Sequence, residues 1–149
     1  MKISTKVECG IIALIDICIN SGKNEVVTVV NISKRQNISI KYLEQILPFL
    51  RHANIIKSVK GAKGGYLLSR NPKDINMEQV ISALDCMVLN DAEFESMEDN
   101  DLISAVDCCL WSRMSESLRK IAQSVSLYDI AEKYRKIAEE NSIEIMYYI

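Results

Sequence analysis

Apolar residues in the first 36 positions recur every three or four residues, which predicts two helices separated by a short extended segment. Thr5 and Glu8 form a capping-box pattern, and the Asn-Ser-Gly stretch at 20–22 should end the first helix. The predicted buried face of this helix comprises Val7, Ile11, Leu14, Ile15 and Cys18. A short strand is predicted at 25–28. A second helix is predicted over 29–35, with inward residues Val29, Val30 and Ile32.

Residues 39–66 have the most informative pattern, namely an amphipathic helix, an apolar strand and a turn rich in lysine and glycine. Ser39 is a natural N-cap, and Pro48 is expected to kink the helix or to restart it at Phe49. The predicted buried stripe is Tyr42, Leu43, Ile46, Leu47 and Leu50. Residues 55–59 and 66–69 are predicted to form a hairpin. This layout is typical of a recognition helix followed by a wing.

The second half of the chain predicts further helices around an acidic loop. Asn76 should cap a short fourth helix, and residues 85–101 lack periodicity and are rich in acidic residues. A long helix with a narrow apolar seam should follow, because apolar positions step by three or four residues at Ile103, Val106, Leu110, Met114, Leu118, Ile121 and Val125. Such a seam favours a second copy as its partner, although the helix could also pack only on its own domain. Ser126 should cap a last helix to about Glu140, and the apolar, β-prone tail at 143–149 is expected to pack against the body.

These elements predict a mainly α fold with a small β-hairpin wing, organised as a winged helix-turn-helix domain plus a long dimerisation helix. The predicted DNA-binding domain is 1–84, the acidic sensor-region loop is 85–101, and residues 102–149 form the dimerisation helix, the C-terminal helix and the tail.

Charge is divided unevenly along the 149 residues, although the net charge is only −2. Residues 1–75 hold twelve Lys/Arg against five Asp/Glu, whereas residues 76–149 hold six against fifteen. A basic half is expected of a DNA-binding part, because cations that neutralise phosphates supply much of the sequence-independent affinity. Two ordinary solvated faces are the alternative interpretation.

The chain gives no indication of membrane insertion or catalysis. Its N-terminus lacks the apolar stretch of a signal peptide, and no apolar run approaches the roughly 18 residues of a membrane span, so a cytoplasmic protein is expected. The single histidine, His52, has no accompanying nucleophile or acid-base pair, and 61–65 lacks the strand-to-helix context of a phosphate loop. We therefore expect no enzyme. A protein-interaction module without DNA remains the rival class, although it would not need the basic half.

Several motifs together resemble the Rrf-type winged helix-turn-helix transcriptional regulators. They are Met1 to Lys6, Ile38-Ser39, Tyr42 to Gln45, Leu50-Arg51, Ser58 to Gly61, Gly64 to Leu68, Ile81 to Leu84, Trp111 and Ser126 to Ile130. The resemblance implies a homodimer that binds a roughly palindromic operator in double-stranded DNA. It places the third helix in the major groove and the wing along the minor groove.

By position, the resemblance makes Ser39, Lys41, Glu44 and Gln45 the side chains that read bases or set the register. Glu44 could accept from cytosine and Gln45 could pair with adenine, although Glu44 could instead form an ion pair with Lys41 or Arg51. The full predicted DNA-binding set is Lys2, Thr5, Lys6, Ser39, Lys41, Tyr42, Glu44, Gln45, Arg51, Lys57, Ser58, Lys60, Gly61, Lys63, Gly64 and Gly65.

The same family includes iron-sulfur sensors, but their ligand places are altered in this chain. Counted back from Trp111, the places of three cysteines and a histidine hold Glu93, Asp99, Ala105 and Cys108. Carboxylates are poor substitutes for the thiolates that hold such a cluster. The chain is therefore more similar to the cluster-free branch, which includes a repressor of cysteine metabolism with a similar apolar tail. That resemblance implies no cofactor and, as a partner, a cysteine-biosynthetic enzyme.

Five cysteines leave a sensor role open. Cys18 is expected to be a buried apolar residue, since free cysteine is among the most buried residue types. Cys9 is unassigned. A structural disulfide is not expected in a cytosolic protein, so a redox-active thiol or a metal ligand is the alternative. An irregular iron-sulfur site could use Glu8 with Cys86, Cys108 or Cys109.

Overall fold

The computed structural model describes residues 3–23, 25–90 and 100–148. The helices are α1 (Thr5–Asn20), α2 (Val29–Gln36), α3 (Ile40–His52), α4 (Met77–Leu84), α5 (Asp101–Val106), α6 (Ser112–Ser124) and α7 (Leu127–Tyr147). The strands β1 (Ile56–Val59) and β2 (Gly65–Leu68) form one antiparallel hairpin, and short 3-10 turns occupy Pro72–Asp74 and Cys86–Val88. This is the mainly helical fold with a hairpin wing that the sequence predicts.

Helix α1 begins and packs differently from the prediction. Its N-cap is Ser4, whose hydroxyl accepts from Val7 N at 3.4 Å, so the proposed Thr5 capping box is wrong. Its buried residues are Val7, Gly10, Ala13, Leu14, Asp16 and Ile17, whereas Ile11, Ile15 and Cys18 are only partly buried. Gly10 explains this shift, because a Cβ there would lie 2.6 Å from Leu84 Cδ1. The absent side chain lets α4 pack closely onto the Gly10 side of α1.

Helices α2 and α3 form the helix-turn-helix. Thr28 caps α2 and Ser39 caps α3, each through a hydroxyl that accepts from a backbone N–H at 3.1 Å. Ile32 is buried, but Val30 is 44% exposed, so its predicted inward position is wrong. The chain turns between the helices at Asn37, which has the left-handed φ of 54°.

Helix α3 continues through Pro48 to His52 and does not restart at Phe49. The predicted stripe is otherwise confirmed, with Leu43, Ile46, Leu47 and Leu50 buried and Tyr42 packed at the core's edge. Proline removes one backbone hydrogen bond, whereas the apolar residues on either side of it hold the helix against the core.

The hairpin pairs Ile56 with Leu68 and Val59 with Gly65, within one residue of the predicted bounds. The strand predicted at 25–28 is reduced to one bridge, in which Val27 and Tyr66 exchange backbone hydrogen bonds of 3.0 and 2.8 Å. This bridge fastens the hairpin to the segment that precedes α2.

Residues 101–124 form one continuous helical stretch, as predicted, with a π-helical segment at Asp107–Trp111 between α5 and α6. The loop predicted over 85–101 ends at Asn100, which caps α5. Residues 91–99 of that loop lie outside the described part of the chain.

The C-terminal tail is the clearest departure from the prediction. Helix α7 runs through it to Tyr147, and Ile145, Met146 and Tyr148 are 61%, 78% and 92% exposed. The tail is therefore helical and exposed, rather than β-like and packed against the body.

The two halves of the chain are joined by packing and by a short backbone bridge. Ala122 and Leu127 lie in the same buried cluster as the core residues of α1, α3 and α4. Met77 N donates to Val125 O at 2.9 Å, and Leu127 N donates to Ile75 O at 2.8 Å. Helices α4 and α7 thus both start from this bridge. Within the described residues, no helix has the length and apolar character needed to cross a membrane.

Candidate nucleic-acid interface

The outer face of α3 and the wing present the predicted DNA-binding side chains to solvent. Helix α3 exposes Lys41, Glu44, Gln45 and Arg51 beyond its exposed cap Ser39. On the wing, Ile56 is buried while the exposed residues are Lys57, Ser58, Lys60, Gly61 and Lys63. One carboxylate therefore stands among five cations on these two elements, which gives a surface suited to phosphates.

Glycine shapes the wing by two different means. Gly61 has a φ of 116°, which other residues rarely adopt. Gly64 and Gly65 instead lie where backbone crosses closely. A Cβ at Gly64 would be 2.5 Å from Val59 O, and one at Gly65 would be 2.7 Å from Val27 O. Gly64 therefore lets the turn close tightly, and Gly65 lets the hairpin lie directly against the segment before α2.

Three other members of the predicted set have different environments. Tyr42 is half-buried against the core, and Thr5 is the exposed first residue of α1. The Lys6 ammonium lies 3.4 Å from the centroid of the Phe49 ring, a cation-π contact that joins the start of α1 to α3. Lys2 lies outside the described residues.

Glu44 makes no ion pair with Lys41 or Arg51 in the described part of the chain. Its carboxylate is therefore not paired with either of these cations, and it is available to accept a hydrogen bond from a base.

The sequence interpretation missed a buried ion pair that holds α1 against α2. Asp16 Oδ1 accepts from Arg35 Nη2 at 2.6 Å, and its Oδ2 accepts from Arg35 Nε at 2.9 Å and Gln36 Nε2 at 2.8 Å. The Asp16 side chain is 0% exposed, and its hydrogen bond raises the pKa of Arg35. An aspartate within the apolar run of 11–19 was the available signal, because buried carboxylates require partners. The pair fixes the helix that precedes the recognition helix.

The predicted apolar seam is exposed on α6 and the segment before it. Val106, Leu110, Met114 and Ile121 are each between 41% and 62% exposed. A groove of about 750 Å³ follows the seam and is lined by Cys109, Leu110, Arg113, Met114, Ser117, Leu118 and Ile121.

The π-helical segment keeps this seam on one side of the helix. Four-residue steps from Val106 to Leu118 would each overshoot an α-helical turn by about 40°. A π segment winds more slowly and takes up part of that overshoot. The Ser112 hydroxyl donates to Asp107 Oδ2 at 2.7 Å across the segment.

Residues 3–133 match the Rrf2 family, described as iron-dependent transcriptional regulators. The chain belongs to the Rrf2 family. It is 33% identical over 134 residues to Protein rrf2 of Nitratidesulfovibrio vulgaris, covering 87% of each chain. It is 31% identical over 131 residues to the regulator CymR of Bacillus subtilis, covering 88% of this chain and 90% of CymR.

Solved structures agree with this membership of the Rrf2 family. The structure of CymR, the global cysteine regulator of B. subtilis, superposes with a TM-score of 0.74 at 30% identity, covering 89% of this chain and 98% of that chain. The IscR structure from T. potens gives a TM-score of 0.71 at 32% identity, covering 90% and 88%. The predicted family and winged-helix fold are confirmed. The chain is a DNA-binding transcriptional regulator.

The Rrf2 family is described as iron-dependent, and cysteines are the usual ligands of iron-sulfur clusters. Cys9 and Cys18 are partly buried, and burial raises the pKa of both thiols, with Glu8 adding to the effect on Cys9. A raised pKa leaves less of the reactive thiolate. Cys18 was predicted to be buried, and the structure shows that it is only partly buried.

The three remaining cysteines, Cys86, Cys108 and Cys109, are exposed, as is Glu8. Within the described ranges, no three His, Cys, Asp or Glu side chains come together as a metal site. The irregular set of Glu8 and these cysteines is thus not assembled in the single chain. Ala105, at the position of the third cysteine ligand, has no side-chain donor atom for a metal, and Glu93 and Asp99 lie outside the described residues. The residues present do not fit the usual three-cysteine cluster.

Proposed function

We propose that this Rrf2 regulator binds its operator as a homodimer, with α3 in the major groove and the wing along the adjacent backbone and minor groove. The exposed residues of α3 and of the wing carry this proposal, because they combine hydrogen-bonding side chains on a helix with cations on a thin loop. In this arrangement Gln45, Glu44, Lys41 and Ser39 read bases or set the register. Arg51 and the wing lysines neutralise phosphates.

The homodimer would form through the groove on α6. Its lining is mostly apolar, with Arg113 and Ser117 as the polar members, and covering it with the same groove of a second copy would give a two-fold symmetric molecule. Such symmetry matches an operator with two inverted half-sites about one helical turn of DNA apart.

The regulated genes are proposed to belong to cysteine or sulfur metabolism, with repression as the output. The likeness to CymR, described as a global cysteine regulator, supports this choice. The signal would then come from a cysteine-biosynthetic enzyme that binds the C-terminal tail, which the structure leaves exposed from Ile143 to Tyr148.

The Lys60→Ala and Gln45→Ala variants form a matched pair that tests this DNA face. Lys60→Ala should weaken binding to all duplexes alike and reduce the slope of log affinity against log salt by about two, because each copy of the homodimer loses one phosphate contact. Gln45→Ala should keep that slope and lose base preference worth about 1–3 kcal/mol at one base pair of each half-site. Fluorescence anisotropy at several salt concentrations measures both. Unchanged binding in both variants would rule out this face.

A second candidate input is an iron-sulfur cluster or thiol oxidation at Cys86, Cys108, Cys109 and Glu8, favoured by the exposure of those cysteines and by the family description. We expect protein purified without oxygen to be colourless and free of iron, because the usual ligand set is lacking. Iron analysis and the visible absorption spectrum measure this. A brown sample containing stoichiometric iron would replace the partner-protein input with a cluster.

A further inference from the structure

A cavity of about 240 Å³ lies where α1, α2 and α7 meet. Its lining includes Ile12, Ile15, Ile19 and Asn20 from α1, Arg35 from α2 and Tyr134 from α7. It therefore touches both the helix-turn-helix and the C-terminal helix.

The apolar wall of the cavity is formed by isoleucines that remain partly exposed. The three isoleucines follow a three- and four-residue spacing on one side of α1, and each is only half-buried. Tyr134 stands opposite them on α7 and is 52% exposed. The polar residues Asp16, Asn20, Arg35 and Gln36 line the rest of the cavity, and small-molecule sites combine an apolar wall with polar groups that orient the ligand.

The positive charge in the cavity belongs to the Arg35 guanidinium, which Asp16 holds in place without any ligand. Asp16 accepts from Nε and Nη2 of Arg35, and the other N–H donors of the guanidinium have no hydrogen-bond partner among the described residues. The Arg35 side chain is 37% exposed, whereas that of Asp16 is 0% exposed. A ligand would therefore meet the cation, and the planar guanidinium suits a carboxylate.

We propose that this cavity binds a small monocarboxylate with a compact, branched apolar body. The carboxylate pairs with Arg35, the apolar body packs on the three isoleucines, and Tyr134 closes the outer side. Binding links α2 to α7, so it changes the affinity for DNA. This last clause rests on the proposed function, whereas the binding itself does not.

Calorimetric titration of the full chain with 4-methylpentanoate tests the site, with 4-methylpentanamide as the neutral counterpart. The carboxylate should bind saturably, and the amide about tenfold more weakly, because it carries no negative charge to form an ion pair with Arg35. Equal binding of the two probes, or no saturable binding of the carboxylate at millimolar concentrations, would overturn the proposal.

Tyr134→Ala and Tyr147→Ala locate the binding. Both remove a tyrosine from α7, but Tyr147 is 86% exposed and lies outside the cavity lining. Tyr134→Ala should weaken binding of the carboxylate about fivefold through lost aromatic packing, and Tyr147→Ala should not change it. These variants are preferred to Arg35→Gln, which would disturb the buried ion pair. Equal changes in carboxylate affinity in the two variants would show that the carboxylate does not bind in this cavity.

The regulatory clause is tested by measuring operator affinity with and without saturating 4-methylpentanoate. A change in affinity that Tyr134→Ala reduces supports it, and saturable binding with unchanged DNA affinity refutes it. If the chain fails to bind any DNA, the calorimetric result still decides the cavity, so the two proposals fail separately.

Discussion

Replacing Arg35 with alanine is expected to lower the free energy of unfolding by about 3–5 kcal/mol. The variant leaves the Asp16 carboxylate without its cation, and the Asp16 side chain is 0% exposed. Removing one partner of a fully buried pair costs this much because the remaining charge is desolvated, and the 37% exposure of Arg35 reduces the cost here. Gln36 still donates one hydrogen bond to Asp16 Oδ2, which places the expected loss toward the lower end of the range. Urea denaturation followed by circular dichroism measures it.

Lys120→Ala is the matched control for Arg35→Ala. It breaks the pair between Lys120 and Glu116, whose side chains are 71% and 62% exposed, so we expect little change in the free energy of unfolding. Similar losses in the two variants would contradict a structural role for the buried Asp16–Arg35 pair.

Replacing Met114 with glutamate is expected to raise the dimer dissociation constant at least about 100-fold. Met114 is 49% exposed at the centre of the groove, and each copy would bring one carboxylate into an apolar contact. An uncompensated buried charge costs several kcal/mol, and about 2.7 kcal/mol already gives this factor. Sedimentation equilibrium over a concentration series measures the constant.

Gln123→Glu adds the same charge to α6, and Gln123 is exposed outside the groove. This control should leave the dimer intact. A Met114→Glu protein that remains dimeric at the same concentrations as Gln123→Glu would show that a different surface joins the copies.

The recognition helix and the wing could be predicted because their signals are local. The hydroxyl at Ser39, the periodic apolar stripe through Leu50 and the glycines of the turn each act within a few residues. The predicted hairpin bounds therefore match the structure to within one residue, and Ser39 caps α3 as predicted, although α3 continues through Pro48.

Features that depend on distant residues were predicted poorly. The buried face of α1 follows from the contact between Gly10 and Leu84, and Asp16 finds its partner 19 residues away at Arg35. Neither of these two contacts can be recognised from the residues next to it in the sequence. Periodicity cannot distinguish a short apolar strand from a helical segment, which explains the wrong tail prediction at 143–149.

The sensor input could not be derived from sequence for a chemical reason. Cysteine and carboxylate positions identify possible ligands, but a site requires that they converge in space. In this chain the candidates Cys86, Cys108 and Cys109 lie on a 3-10 turn and a π-helical segment, where sequence patterns give no indication of geometry.

The most direct test of the DNA-reading face is the selection of duplexes from a random library by the wild-type chain and by Gln45→Ala. The wild-type chain should enrich a roughly palindromic sequence with two half-sites, and Gln45→Ala should lose preference at the same base pair in each half-site. Enrichment of no sequence by the wild-type chain, or an identical sequence from both proteins, would contradict base reading by α3.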